Sequence, residues 1–159
     1  MPTMPDYSIT VDAHGVTALL DMMGEEIAPR ILVELAEVSE LTVESMKEHA
    51  PVGATEELRD SIGYEINPDL FMSEIKPTAD YGDAVETGSK PHWAPIEPLK
   101  LWADLKGINP YALRWSIAQK GTMPHPYIKP TYEEMAPVIG DRFAAGIASF
   151  IAETEAVAV

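Results

Sequence analysis

The side chains able to do chemistry are few and scattered. The four histidines are His14, His49, His92 and His125, and no two are spaced as His-x-x-x-His, which would set two imidazoles on one helix face for a metal. His92 and His125 each follow a proline in stretches that read as extended, so they could meet in space as a metal pair. The plainer reading sets them beside Trp93 and Tyr127 as ordinary hydrogen-bonding groups. Asp80, Asp83 and Glu86 offer oxygen ligands for Ca2+ or Mg2+, without the alternation and closing Glu of an EF-hand loop. A solvated acidic loop explains them as well. The chain has no cysteine, no P-loop, no dinucleotide fingerprint and no Gly-x-Ser-x-Gly elbow. Nucleophilic catalysis therefore has no evident carrier, and the expectation is a non-enzyme without cofactor or metal. Trp93, Trp102 and Trp115 could stack on bases, but the charge balance favours core and interface packing.

That balance is 26 Asp and Glu against 11 Lys and Arg, a net charge of −15 over 159 residues. Affinity for DNA rests on cations that release counterions, so this chain should be repelled by a phosphate backbone. The acids serve either ordinary solubility or adaptation to high salt, where long-range repulsion is screened. The second reading implies a salt-loving host and stability that rises into multimolar KCl; unchanged stability counts against it. The length implies one domain over residues 1–159, with short flexible ends at about 1–5 and 154–159. Such a chain can bury about 68–70% of its unfolded surface. No uninterrupted apolar run reaches the ~18 residues of a membrane span, and "MPTMPDYS" lacks the basic-then-apolar pattern of a signal peptide.

The elements that must position these residues follow from periodicity and caps. "YSITVD" (Tyr7–Asp12) alternates like a strand, and "HGVTALLDMMG" reads as a short helix stopped by Gly24. From Ile27 to His49, Ile27, Ile31, Leu35, Val38, Leu41 and Met46 recur at helical spacing, with Pro29 in the first turn and Ala50-Pro51 at the end. Thr55 is placed to cap one turn. Ser61–Asn67 and Leu70–Pro77 read as a hairpin joined by Pro68-Asp69. A short element is expected near Ala84–Glu86. Helices follow over Glu97–Gly107 and Asn109–Gly121, the second capped by Asn109. "TMPHPYIKP" should be extended, and a last helix should start near Thr131 in the capping box Thr131-x-x-Glu134. Met135, Ile139, Phe143, Ile147 and Ile151 mark its apolar face, with a kink or restart at Pro137. The class is α+β: a small antiparallel sheet packed by one long helix, a C-terminal helix and shorter helices.

Three segments, in order, resemble the minor tail-component family of long-tailed phages, the lambda-Z-like neck or tail-completion proteins. That family reads Ala-Pro-Val-Asp-Thr-Gly-x-Leu-Arg-x-Ser-Ile, then Tyr-Ala-x-x-Val-Glu-x-Gly-Thr, then Pro-Phe-Leu-x-Pro. Pro51, Val52, Leu58, Arg59, Ser61 and Ile62 match the first motif; Tyr81, Val85, Glu86 and Gly88 the second; Pro126, Tyr127, Ile128 and Pro130 the third. The first motif is one residue longer here, at Gly53-Ala54-Thr55-Glu56, Gly82 stands where Ala is usual, and Ser89 replaces Thr. The resemblance covers roughly Val16 to Phe150. It implies a virion structural protein at the neck or tail end, forming a closed, hexameric ring between head connector or adaptor and tail tube. DNA would pass through without being bound, no membrane would be involved, and assembly would occur in the host cytoplasm. A head-side adaptor or stopper ring remains the alternative. Arg59 is expected to fork onto a carboxylate, Glu86 first among candidates. The rigid loop with His92 and Trp93, and the Met123–Pro130 strip, suit subunit docking. Two rivals stay open: a small metal-dependent hydrolase using His92, His125, Asp80 and Asp83, and an acidic binder of a basic host protein.

Overall fold

The computed structural model describes residues 7–13, 27–53 and 55–157. Three strands, β1 (Ile9–Asp12), β2 (Ile62–Asn67) and β3 (Met72–Pro77), form an antiparallel sheet in the order β1-β3-β2. Six helices accompany them among the described residues: α1 (Ala28–His49), α2 (Glu57–Asp60), α3 (Gly82–Thr87), α4 (Ile96–Lys106), α5 (Pro110–Lys120) and α6 (Ile128–Val157). The class is α+β. The helix expected over 14–24 and the expected loose start at 1–5 lie outside the described residues.

The strand pleat puts alternate residues on one face. Pairing sets Ile9 and Tyr64 beside Ile75, and Val11 and Ile66 beside Ser73. α1 covers this face with Leu35, Val38, Ser39, Thr42 and Met46, all buried. Leu41, expected in that face, is only half-buried, and Thr42 is inside instead. Its hydroxyl is satisfied at the Val38 carbonyl (2.6 Å), and Ser39 Oγ lies 2.7 Å from Ser73 Oγ. The opposite side of α1 carries Glu37, Glu40, Glu44 and Glu48, all exposed.

The outer sheet face is polar. Glu74 stands opposite Glu65, and Lys76 donates to Glu74 at 2.8 Å. That hydrogen bond holds the Glu74 carboxyl below its ordinary range against the opposing effect of burial. A depressed carboxyl contributes stability above its unfolded-state value and loses it as pH falls through the folded value. Lys76→Gln should therefore narrow the stability gap from native protein as acid is added below about pH 4.5, a small effect because both side chains are more than one-third exposed. Urea midpoints along a pH series check this.

The β2–β3 turn is longer than the expected Pro68-Asp69 pair. Asn67 pairs with Met72, leaving Pro68 to Phe71 in the turn. Asn67 Oδ1 accepts from the Asp69 and Leu70 amides, and Phe71 sits at φ 48, held there by packing against Ala13, Ile27 and Ile31.

α6 lies along α1. Met135 is buried, Ile139 and Phe143 reach the core, and Ile151 is 39% exposed, outside the face expected for it. Arg142 pairs with Glu37 at 3.3 Å, and Arg30 with Glu153 near the far end. No restart occurs at Pro137: one helix runs through it, with the Glu133 carbonyl deprived of a helical donor. Within Ile128–Glu153 the most apolar 18 residues reach mean hydropathy 1.3, enough by length and composition to cross a bilayer, which counting uninterrupted apolar runs does not detect. Here its charged side chains Arg142 and Glu153 are engaged with α1.

Candidate functional site

The three motif segments meet at one junction. The first ends α1: Ala50 turns extended (ψ 130) before Pro51, and Ala50, Leu58 and Ile62 are all buried in the core. Pro51 is half-buried and Val52 exposed. Thr55 does not cap α2; the cap position is Glu56, in the left-handed region at φ 55, with no side-chain bond to the helix. Ser61 Oγ donates to the Leu58 carbonyl, and the Ser61 carbonyl accepts from Thr78.

Arg59 does not reach Glu86. Its Nε donates to the Ala50 carbonyl at 3.0 Å. That oxygen is one of the acceptors a helix C-terminus leaves unfilled, so Arg59 ties the turn back onto the end of α1. The charged hinge after α1 thus fixes the angle at which the chain enters β2.

Glu86 does something else. It is 8% exposed, and its carboxylate accepts from the backbone amides of Tyr127 (2.6 Å), Ile128 (2.8 Å) and Lys129 (3.1 Å). Pro130 has no N–H, and Thr131 N–H already turns back to the Tyr127 carbonyl. Every amide in the first turn of α6 is thereby accounted for, and a negative group sits at the positive helix end. This is why α6 starts at Ile128 and not at Thr131. Thr131, read from sequence as a cap, is buried with its hydroxyl on the Tyr127 carbonyl (2.6 Å). One carboxylate thus links the second motif to the third.

Tyr127 is fully buried and its hydroxyl donates to the Gly82 carbonyl at 3.3 Å. Burial first, then the Glu86 and Asp83 carboxylates, push that hydroxyl far above its ordinary range, so it remains a donor. Gly82 lies so close that a Cβ would come 2.7 Å from Pro77 Cγ and 3.0 Å from the Tyr127 hydroxyl. Gly82→Ala, the residue usual in the resembled motif, should cost about 1–3 kcal/mol by overpacking, read as a lower urea midpoint. Val85 packs on the same core and its carbonyl accepts from His125 N–H at 2.7 Å. Tyr81 is 42% exposed, its hydroxyl 3.4 Å from Glu57, so the second motif touches the first there.

Past Gly88 the chain leaves this junction and returns at Thr122. Ser89 and Thr122 form an antiparallel bridge at the base of the α4–α5 hairpin. Gly107 ends α4, and Asn109 caps α5 by accepting from Tyr111 and Ala112, as its position in the sequence implies. Ala103 and Ile117 are buried, while Trp93, Leu101, Leu105, Tyr111, Trp115 and Met123 are exposed. Of the three tryptophans, Trp102 is half-buried and the other two face outward. Arg114 lies over the Trp93 ring at 5.3 Å, and His92 is exposed with Nδ1 2.9 Å from the Lys90 carbonyl. Pro126 is exposed and Pro130 half-buried.

The structure therefore divides the candidate residues in two. Pro51, Leu58, Arg59, Ser61, Glu86, Gly88, Tyr127, Ile128 and Pro130 build the junction. Val52, Tyr81, His92, Trp93 and Pro126 are on the surface. Among the described residues no three His, Asp or Glu side chains gather to hold a metal, so His92, His125, Asp80 and Asp83 are not brought into one site. The outward aromatic positions on α5, Tyr111 and Trp115, had one legible signal, their i,i+4 spacing on a helix with no matching apolar face. No family model matches this chain, and no curated protein or solved structure matches it significantly.

Proposed function

We propose that this chain is a virion structural protein of a tailed virus, acting at the head-tail junction or tail end as a ring that completes the tail. In this reading it joins tail to head connector and lets DNA pass. The observation that carries it is the convergence of the three motif segments on one junction, with Glu86 capping the helix that the third motif opens. That junction positions an aromatic hairpin facing outward, which suits a docking part. The outer face of α6 adds a second surface for packing, with Ala136, Gly140, Ala144, Ala148 and Ala152 exposed at every fourth position. A hexameric ring, a virion location and a salt-loving, archaeal host belong to the same proposal, and a head-side adaptor ring is its nearest variant.

Electron microscopy of lysates from particles lacking this chain tests it. Full heads beside separate, complete tails are expected; normal infectious particles would sink the structural reading. A membrane-seated role has one observation in its favour, the apolar length of α6. Flotation of the purified chain with lipid vesicles would support that role, and failure to float would remove it.

A further inference from the structure

The fold segregates its charge. Between Gly88 and Tyr127 the chain carries five cations (Lys90, Lys100, Lys106, Arg114 and Lys120) against two carboxylates, Glu97 and Asp104, a net +3 that leaves −18 for the rest. This positive stretch is the α4–α5 hairpin with its two connections. Lys90, Lys106 and Lys120 are exposed and form no ion pair with a described residue. The same unit exposes Trp93, Leu105, Tyr111 and Trp115, each more than 60% accessible. On the body of the fold, Glu40, Glu44 and Glu48 form an exposed row along α1, and Glu44 and Glu48 have no cation among the described residues.

We propose that the hairpin of one copy docks on the acidic α1 face of the next copy. Two hairpins repel, and two bodies repel more strongly, so a pair of identical chains finds charge complementarity only hairpin to body. Such a contact is head-to-tail, and head-to-tail contacts close into rings when their rotation permits. The exposed aromatic side chains supply the anchors, Trp93 pinned in place by Arg114. A nucleic acid meeting the hairpin would also meet the −18 remainder of the chain, which opposes it. The inference rests on the ring reading above and names the two surfaces that would make the ring.

The test is light scattering of the purified full chain eluting from a sizing column at about 0.15 M salt, where exposed charges still act over about 8 Å. Native chain should be oligomeric. Lys106→Glu with Lys120→Glu should shift it to monomer, as should Glu44→Lys with Glu48→Lys. Because all four positions are exposed, circular dichroism and thermal midpoint should show intact folding. Combining the four changes restores opposite charge across the contact and should restore the oligomer. A monomeric native chain, an oligomer indifferent to both pairs, or failure of the four-fold variant to reassociate would each overturn the proposal. So would a short DNA duplex that binds native chain and not the Lys106→Glu, Lys120→Glu variant. A native oligomer that ignores these substitutions leaves the neck reading standing. A hairpin-built oligomer whose absence leaves particles infectious removes the neck reading alone.

Discussion

Replacing Glu86 with alanine should destabilise the protein by about 3–5 kcal/mol, the largest single-residue loss expected outside the apolar core. Three amides at the start of a 30-residue helix donate to this one side chain at 2.6, 2.8 and 3.1 Å. Each is a bond to a charged acceptor, stronger than a neutral one, and the helix end favours negative charge. Removing the carboxylate leaves those amides facing a space beside the buried Tyr127 ring. Water entering that space limits the loss to less than three full bonds. Glu86→Gln keeps the shape and one acceptor but turns an NH2 toward a backbone N–H, so about 1–3 kcal/mol should be lost. Urea titrations of the three proteins check the order native, Gln, Ala. A loss below about 1 kcal/mol for Glu86→Ala would mean that solvent caps α6 adequately and that Glu86 does not organise the junction.

Gly121→Ala is expected to detach the hairpin. Gly121 has φ 75 and ψ −158, a region open essentially to glycine alone. An added Cβ would lie 1.9 Å from the Ser89 carbonyl oxygen and 2.9 Å from two backbone carbons. Backbone on that side cannot swing away as a side chain could. The bridge between Ser89 and Thr122, with its reciprocal bonds of 3.2 and 3.1 Å, must open to make room. The cost should be about 2–4 kcal/mol, combining overpacking with strain at positive φ. Hydrogen exchange locates the damage: the Ser89 and Thr122 amides should lose protection while the β2–β3 amides keep theirs. Retained protection at Ser89 and Thr122 would show that the bridge accommodates the methyl group and does not fix the hairpin base.

Local signals in this sequence are legible wherever partners lie within a few residues. α1 could be bounded at both ends because Pro29 and Ala50-Pro51 act on their immediate neighbours, and its face could be read because burial recurs with the helical period. Asn109 caps α5 as read, since its side chain needs only the amides two and three positions on. The β2–β3 turn is longer than its sequence implies, because Phe71 adopts its left-handed conformation through packing with Ile27 and Ile31, which are distant in sequence. Thr131 failed as a cap for the same reason: Glu86, 41 positions before Tyr127, reaches the helix start first.

The sequence by itself determined the α+β class, most of the helices and strands, the acidic balance and the concentration of cations between Gly88 and Tyr127. Those depend on composition, on period and on contacts within a turn or two. Only the tertiary structure decided that Glu86 caps α6 while Arg59 closes on Ala50, and that the three motifs form one junction beneath an outward-facing hairpin. A carboxylate or guanidinium can satisfy any complementary group within reach, so its partner is chosen when packing brings distant segments together, not by its place in the chain.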